Sequence, residues 1–329
     1  MEGDEQEAPA WQGRLTALVF ILAVTAFAYI AYAYYTQRSF GRLMTDLISP
    51  EEDVSSRAAD ELASSDDALP YLTNVLVHAR APERRVLCAT VILRRVETRR
   101  RDAGSFSTVE QEQEALRSGL NMEAVTAALG DESLVVRTKA REIVALVGLN
   151  QTYQKTRLED VLKFEELLRK LAEGTPAARD EAGEQLRETG VRALPYLVGV
   201  VFSDDGAFRL RGLNILRTVV QDVLRGSNQR RIVTLLGRRR CRLLLRETIR
   251  LAEADRSVIT DILNVSGRVP EAFFPRFLED YAAVTDEEAR YELLTGQIDL
   301  LEEVEKVRAT GEELTERIKK LHDATGRKP

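Results

Sequence analysis

Nine arginines lie between Arg225 and Arg250, and residues 221–250 oppose them only with Asp222 and Glu247, a local excess of +7. Arg238, Arg239, Arg242, Arg246 and Arg250 form the densest part. Arg239, Arg242, Arg246 and Arg250 are spaced three and four apart, which places them on one face of a helix. A guanidinium is a planar fork of donors that meets a phosphate or carboxylate at two points. The face is therefore a candidate site for an anionic partner: a lipid headgroup, a phosphopeptide, a nucleic-acid backbone or a protein carboxylate. The chain offers its own carboxylates, because residues 278–329 hold fourteen acids against eight bases. A solvated helix with internal ion pairs accounts for the same run. Nucleic acid is disfavoured, since the net charge is −6 and no aromatic residues interleave with the arginines to stack bases. A second basic knot, Arg94, Arg95, Arg99, Arg100 and Arg101, ends a helix that starts near Glu83. Cations there complement the helix dipole, and anionic lipid is an alternative partner.

Catalytic and metal chemistry find little footing. The two histidines, His78 and His322, lie in different segments, and neither cysteine has a histidine near it in sequence. Walker, GxGxxG, GxSxG and HExxH patterns are lacking. The expectation is no catalytic residue, no metal and no cofactor. The acidic pairs Asp66–Asp67, Asp204–Asp205 and Glu287–Glu288 fall at helix starts, where carboxylates cap amides. Cys88 and Cys241 sit within apolar helical runs, which predicts free, buried thiols and suits a reducing compartment.

Positioning these groups falls to helices. Charged residues make up 30% of 329 residues, aromatics 6%, and only nine prolines interrupt the chain, a composition that predicts an all-α protein. The 21 residues from Leu15 to Tyr35 contain no charge, glycine or proline. As a helix they reach about 30 Å, the thickness of a bilayer's hydrocarbon core. Leu15, Phe20, Ile21, Leu22, Phe27, Ile30, Tyr34 and Tyr35 are the expected lipid-facing anchor. Trp11 and the tyrosines at the far end suit interfacial belts. A cleaved signal peptide fits less well, because the preceding residues are acidic and the apolar core is long. Arg38 and Arg42 beyond the span against Arg14 before it favour a cytoplasmic C-terminal region.

Beyond the span, helical periodicity recurs in short-linked segments, among them 109–117, 134–147, 158–172, 191–202, 229–251 and 286–322. Two of these regions are related. ALPYL occurs at 68–72 and again at 193–197, each time followed by a helix with the spacing Arg-x-x-small-x-x-x-aliphatic. The copies are Arg85/Cys88/Ile92 and Arg209/Gly212/Leu216. Arg137/Ala140/Val144 shares the spacing, and Arg256/Ile259/Leu263 is a looser version. The third and seventh residues after the arginine share a face, where a small residue admits a close neighbour and an aliphatic one fills the core.

With these motifs the chain resembles HEAT and HEAT-like α-solenoids, whose second helices carry an Asp…Val-Arg-x-x-Ala motif. Asp131 to Ala140 fits it best, and Asp204 to Arg209 nearly as well. The arginines are 52, 72 and 47 residues apart, so the resemblance implies irregular units over 52–266. Residues 286–322 differ. Leu293, Gln297, Leu300, Val304, Val307, Gly311, Leu314, Ile318 and Leu321 alternate four and three apart, a heptad seam that suits a coiled coil, a homo-oligomer contact or a helix capping the solenoid.

The expected organisation is an acidic tail at 1–14, a transmembrane helix at 15–35, a juxtamembrane linker at 36–51, a HEAT-like solenoid at 52–283, an amphipathic C-terminal helix at 284–323 and a tail at 324–329. It predicts a single-pass membrane scaffold or adaptor that binds a protein partner through its helical surface. The alternatives are an anionic-ligand binder using Arg225–Arg250 and, last, a HEAT-like enzyme resembling solenoid lyases or glycosylases, for which no acid or nucleophile stands out.

Overall fold

A computed structural model describes residues 19, 22–27, 38–49, 51–102, 108–149, 152–226, 230–264 and 273–325. All regular structure among them is helical. Of the apolar run, only Val19 and residues 22–27 are described; they are helical, and Val19, Leu22, Val24 and Phe27 are exposed. The other expected anchor residues, Leu15, Phe20, Ile21, Ile30, Tyr34 and Tyr35, lie outside the described residues. Among the described residues no helix is long and apolar enough to cross a membrane.

The described residues divide into two compact units, those up to 125 together with 145–147, and 126–144 together with those from 148 onward. The first contains α1 (38–47), α2 (Glu52–Ser64), α3 (Ala68–His78), α4 (Pro82–Asp102) and α5 (Val109–Arg117). The division falls within α6 (Met122–Ala128) and α7 (Leu134–Val147). The second unit holds α8 (Thr152–Glu173), α9 (Pro176–Thr189), α10 (Leu194–Gly199), α11 (Gly206–Arg225), α12 (Ile232–Leu236), α13 (Arg238–Glu247), α14 (Glu253–Leu263), α15 (Phe273–Ala283) and α16 (Glu287–Thr325).

In the first unit α4 is the central helix, packed by α2, α3 and α5. Leu62, Leu69, Leu72, Leu76, Cys88, Ile92, Val96 and Leu116 form its core. In the second unit α11 is central, with α8, α9, α10 and α14 against it. The two ALPYL segments begin helices. Pro70 and Pro195 fall in the first turns of α3 and α10, where a backbone N–H has no intrahelical acceptor and its loss costs nothing. Side-chain caps start other helices: Thr108 on α5, Ser133 on α7, Thr175 on α9 and Asp205 on α11.

The shared spacing resolves into packing. Cys88, Ala140, Gly212 and Ile259 are buried, as are Ile92, Val144, Leu216 and Leu263. Gly212 shows why a small residue is needed: a Cβ there would stand 2.8 Å from Val200 Cγ1. The arginine opening each motif has a common task as well. Arg85 Nη1 donates to the carbonyls of Ala79 (3.0 Å) and Arg80 (3.1 Å). Arg137 Nη1 donates to Asp131 (2.8 Å) and Glu132 (3.1 Å). Arg209 donates to the Ser203 carbonyl, and Arg256 to those of Thr248 (2.9 Å) and Leu251 (3.1 Å). Arg290, which the spacing did not single out, donates to the Val284 carbonyl. Each acceptor lies in the turn just before the arginine's helix, mostly five or six residues back. There the carbonyls that close one helix lack intrahelical donors. The charged donor satisfies them and fixes the reversal, each bond contributing about 1.5–3 kcal/mol.

One expectation is corrected. The helix expected over 229–251 is broken at Gly237, whose φ of +82° admits glycine and few other residues, and Gly237 N closes α12 on the Val233 carbonyl (2.9 Å). α13 then ends at Glu247, so Arg250 sits in the following turn and leaves the shared face. In α16 the stripe that packs is not the seam itself. Leu294, Ile298 and Leu301 are its buried residues, one place removed from the heptad seam. The seam is exposed at Leu300, Val307, Leu314 and Ile318. The first half of α16 packs on α12 and α13, as a capping helix would. The side chain of Leu321 is outside the described set.

Candidate functional site

The arginines of α13 converge with acids drawn from distant parts of the second unit. At the centre is the turn Asp131–Glu132–Ser133 between α6 and α7, buried although it carries two acids. Asp131 Oδ1 accepts from Ser133 N (2.9 Å), an arrangement that tightens the turn. Glu132 is 1% exposed, and its carboxylate accepts from Arg239 Nη2 at 3.1 and 2.8 Å. Arg240 Nε stands 2.8 Å from Glu132 Oε1 as an ion pair, while Arg240 Nη1 donates to the Leu236 carbonyl (3.0 Å). Asp131 Oδ2 lies 3.8 Å from Arg239. A buried acid of this kind is tolerated only with such partners.

The other side of the same turn meets α10. A Cβ on Gly199 would stand 2.2 Å from the Glu132 carbonyl oxygen, so only glycine lets the two backbones approach this closely. Arg137, which grips that carbonyl, also donates from Nε to Glu165 Oε1 (3.1 Å), and Arg141 pairs with the second Glu165 oxygen. The Arg137 guanidinium covers the Tyr196 ring at 5.3 Å, and Tyr196 stacks on Phe164 at 4.5 Å. Burial raises the Tyr196 hydroxyl, against the opposing pull of Arg137. The acids Asp131, Glu132 and Glu165 thus meet Arg137, Arg141, Arg239 and Arg240, a cluster close to neutral.

The remaining arginines of the run have other partners. Arg238 bridges Asp299 (2.9 Å) and Glu302 of α16, and the Arg242 guanidinium covers Tyr291 of α16 at 5.2 Å. Arg246 Nε donates to Glu247 Oε1 (2.8 Å). Arg250 is exposed, with its backbone N on the Glu247 carbonyl (3.1 Å). The structure therefore brings Arg239 to an acidic turn, Arg238 and Arg242 to α16, and Arg246 to its own helix, rather than gathering them at one external face. The basic knot of α4 is paired too. Arg95 and Arg99 hold Asp66, Arg94 holds Asp60 and Arg100 holds Glu112. Burial would raise the Asp66 carboxyl, but the hydrogen bonds from Arg95 and Arg99 bring it below the usual carboxylate value. Asp66 thus serves arginines, while Asp205 caps α11.

The thiols are chemically quiet. Burial pushes both Cys88 and Cys241 up to about 12, far from the thiolate a nucleophile needs. Among the described residues no group of three His, Cys, Asp or Glu side chains is arranged to hold a metal ion. A cleft of about 310 Å³ in the first unit is lined by Met44, Ile48, Tyr71, Val75, His78 and Arg84. One acid stands out that sequence reasoning missed. Glu305 reaches from α16 to the start of α12, where Oε1 accepts from Ile232 N (2.9 Å) and Oε2 is buried without a hydrogen bond. Burial, offset in part by Ile232 N and Arg231, pushes this carboxyl up to about 7. The polar residues at 302, 303 and 305 look alike in sequence; only the packing register singles out the last.

Comparison with protein-family models, with characterised proteins and with solved structures finds no match for this chain.

Proposed function

We propose that the chain is a single-pass, membrane-anchored, non-catalytic scaffold of the HEAT-like kind, which holds a protein partner on its helical surface at the cytoplasmic face of a bilayer. The observation that carries this reading is the repeated arginine clamp. Arg85, Arg137, Arg209 and Arg256 fix helix reversals by the same carbonyl contacts, which supports a stack of similar hairpins with set angles. Such a stack suits recognition of an extended partner better than it suits a moving active site. The Leu15–Tyr35 run supports the anchor, and so does the exposure of Val19, Leu22, Val24 and Phe27. The anionic-ligand reading has less support, because Arg238, Arg239, Arg240 and Arg246 already hold internal carboxylates.

The test is a membrane fraction from cells expressing the tagged full chain. Resistance of the chain to alkaline extraction, lost when residues 15–35 are deleted, supports the anchor; protease protection of a C-terminal tag in sealed right-side-out cells supports the cytoplasmic side. Detergent extraction followed by affinity purification then asks for a stoichiometric partner. Retention of that partner when exposed Arg250 and Arg225 are changed to Glu supports the scaffold reading. Binding to anionic liposomes or RNA that replaces it, and vanishes with those changes, overturns it.

A further inference from the structure

The α16 helix carries two apolar stripes, and its own unit uses one of them. Leu294, Ile298, Leu301 and the half-buried Glu305 face α12 and α13, spaced four, three and four apart. Beside that stripe runs the heptad seam, which from Leu300 to Ile318 is exposed apart from the half-buried Val304, with a glycine at 311. Leu300 is 46% exposed, Val307 72%, Leu314 53% and Ile318 54%, and a Cβ on Gly311 would meet nothing within 4 Å. Every residue from 311 to 320 is exposed. Four large aliphatic side chains on one stripe of a solvated helix are costly in water, at about 25 cal/mol for each Å² left wet.

We propose that this seam pairs with the same seam of a second copy of the chain, as a short antiparallel coiled coil over residues 300–318. In heptad terms Val304, Gly311 and Ile318 occupy a positions, and Leu300, Val307 and Leu314 occupy d positions. A parallel pair sets a against a, so Gly311 would face Gly311 and leave an empty layer in the middle of the seam. An antiparallel pair sets a against d. Leu300 then faces Ile318 of the second copy, Val304 faces Leu314, and Val307 enters the space above Gly311. All six layers are filled with one aliphatic side chain or two, which close packing demands. The flanking charges agree. Glu303 lies in a g position and falls opposite Arg317 in the g position of the second helix, so two Glu–Arg contacts border the seam. Arg308 comes near its own counterpart across the twofold axis, but each is already answered by Glu312 of its own helix at 2.8 Å. The symmetric contact closes on itself, so it yields dimers and not filaments. Fewer than three heptads bind weakly alone, and confinement of both copies to one membrane would raise their effective concentration. The gain from confinement rests on the membrane reading above; the pairing of the seam itself does not.

The test uses the full chain in detergent micelles, with sedimentation equilibrium reading the protein mass. A concentration-dependent dimer is expected. Leu314→Asp with Ile318→Asp should reduce it to one chain, with the far-UV helix signal and thermal midpoint unchanged because both positions are exposed. Glu303→Arg should weaken dimerisation about tenfold, the combined effect of two rim ion pairs reversed in sign. Adding Arg317→Glu should restore it. Disulfide trapping fixes the direction: chains carrying Val307→Cys should cross-link to chains carrying Gly311→Cys, with little cross-linking of either to itself. Self-linking of both variants, or rescue of Glu303→Arg by Arg308→Glu instead of Arg317→Glu, would overturn the antiparallel pairing. A single-chain mass at every concentration, with the helix signal intact, would overturn the dimer itself.

Discussion

Replacing Glu132 by Gln removes one charge from the turn on which α10 and α13 converge. The carboxylate is 1% exposed and takes two contacts from Arg239 and one ion pair from Arg240. Breaking a fully buried pair typically costs 3–5 kcal/mol, because the partner charge is left stranded. Here the stranded groups are partly wet: the Arg239 side chain is 33% exposed and that of Arg240 26%. They regain some hydration, and the expected loss falls to about 2–3 kcal/mol. For a unit of about 200 residues that corresponds to a fall in Tm of about 4–12 °C. The measurement is thermal unfolding of the full chain in detergent, followed by far-UV circular dichroism. Glu132→Gln, Arg239→Gln and the double variant form a cycle, and a coupling of about 1–3 kcal/mol is expected between residues 107 positions apart in sequence. Raising salt from 0.05 to 0.5 M should change the coupling little, since buried pairs are weakly screened. A single-variant loss below about 0.5 kcal/mol, or a coupling that salt abolishes, would refute the buried clamp and return Arg239 to the pool of exposed cations.

Other consequences are equally measurable. Gly199→Ala puts a methyl 2.2 Å from the Glu132 carbonyl oxygen, so α10 must move off the turn; a loss of about 3 kcal/mol is expected in urea unfolding, whereas Gly296→Ala, mid-helix with open space around it, should gain about 0.5–1 kcal/mol. Glu305 has its folded pKa raised from 4.5 to about 7, so the folded state holds the proton more tightly than the unfolded chain does. Its contribution is complete below about pH 4.5 and is lost as pH rises through 7. Glu305→Gln should therefore match the parent near pH 4 and exceed it by about 2 kcal/mol at pH 8, read as the difference between their urea midpoints. Arg209 couples its turn to Asp255, which is buried, through 2.9 and 2.8 Å contacts; Arg209→Met should cost about 3 kcal/mol, and Asp255→Asn added to it should cost little more.

Local order was legible where local chemistry decides it. Residues 109–117 and 134–147 are helices with the expected bounds, because Thr108 and Ser133 cap their starts and the apolar period runs without interruption. The break at Gly237 was legible in principle, since a glycine after Leu-Leu is a common helix stop, but the arginine period runs through it and masked the signal. The partners of the arginines were not legible. Glu132 and Arg239 meet only because α6, α7, α10 and α13 converge, and no local pattern encodes a contact across 107 residues. The α16 seam was read from a sound period, yet the chain buries the adjacent stripe. Two stripes one residue apart satisfy the same spacing rule, and the neighbours of the helix decide between them.

The arginine clamps also explain a bias in the alphabet of this chain. Of its 47 lysines and arginines only eight are lysine. In Arg85 and Arg137 one Nη1 amino group donates to the carbonyls of two successive residues. The rigid guanidinium leaves other N–H groups aimed elsewhere, as Arg137 Nε is at Glu165, whereas an ammonium is a single compact charge on a flexible stem. A version rewritten with lysine at 85, 137, 209, 256 and 290 would keep its net charge of −6 and its isoelectric point nearly unaltered. It would lose the corners that set one helix against the next. In this chain arginine is masonry first and charge second, so conserving the charge at these five positions does not conserve the fold.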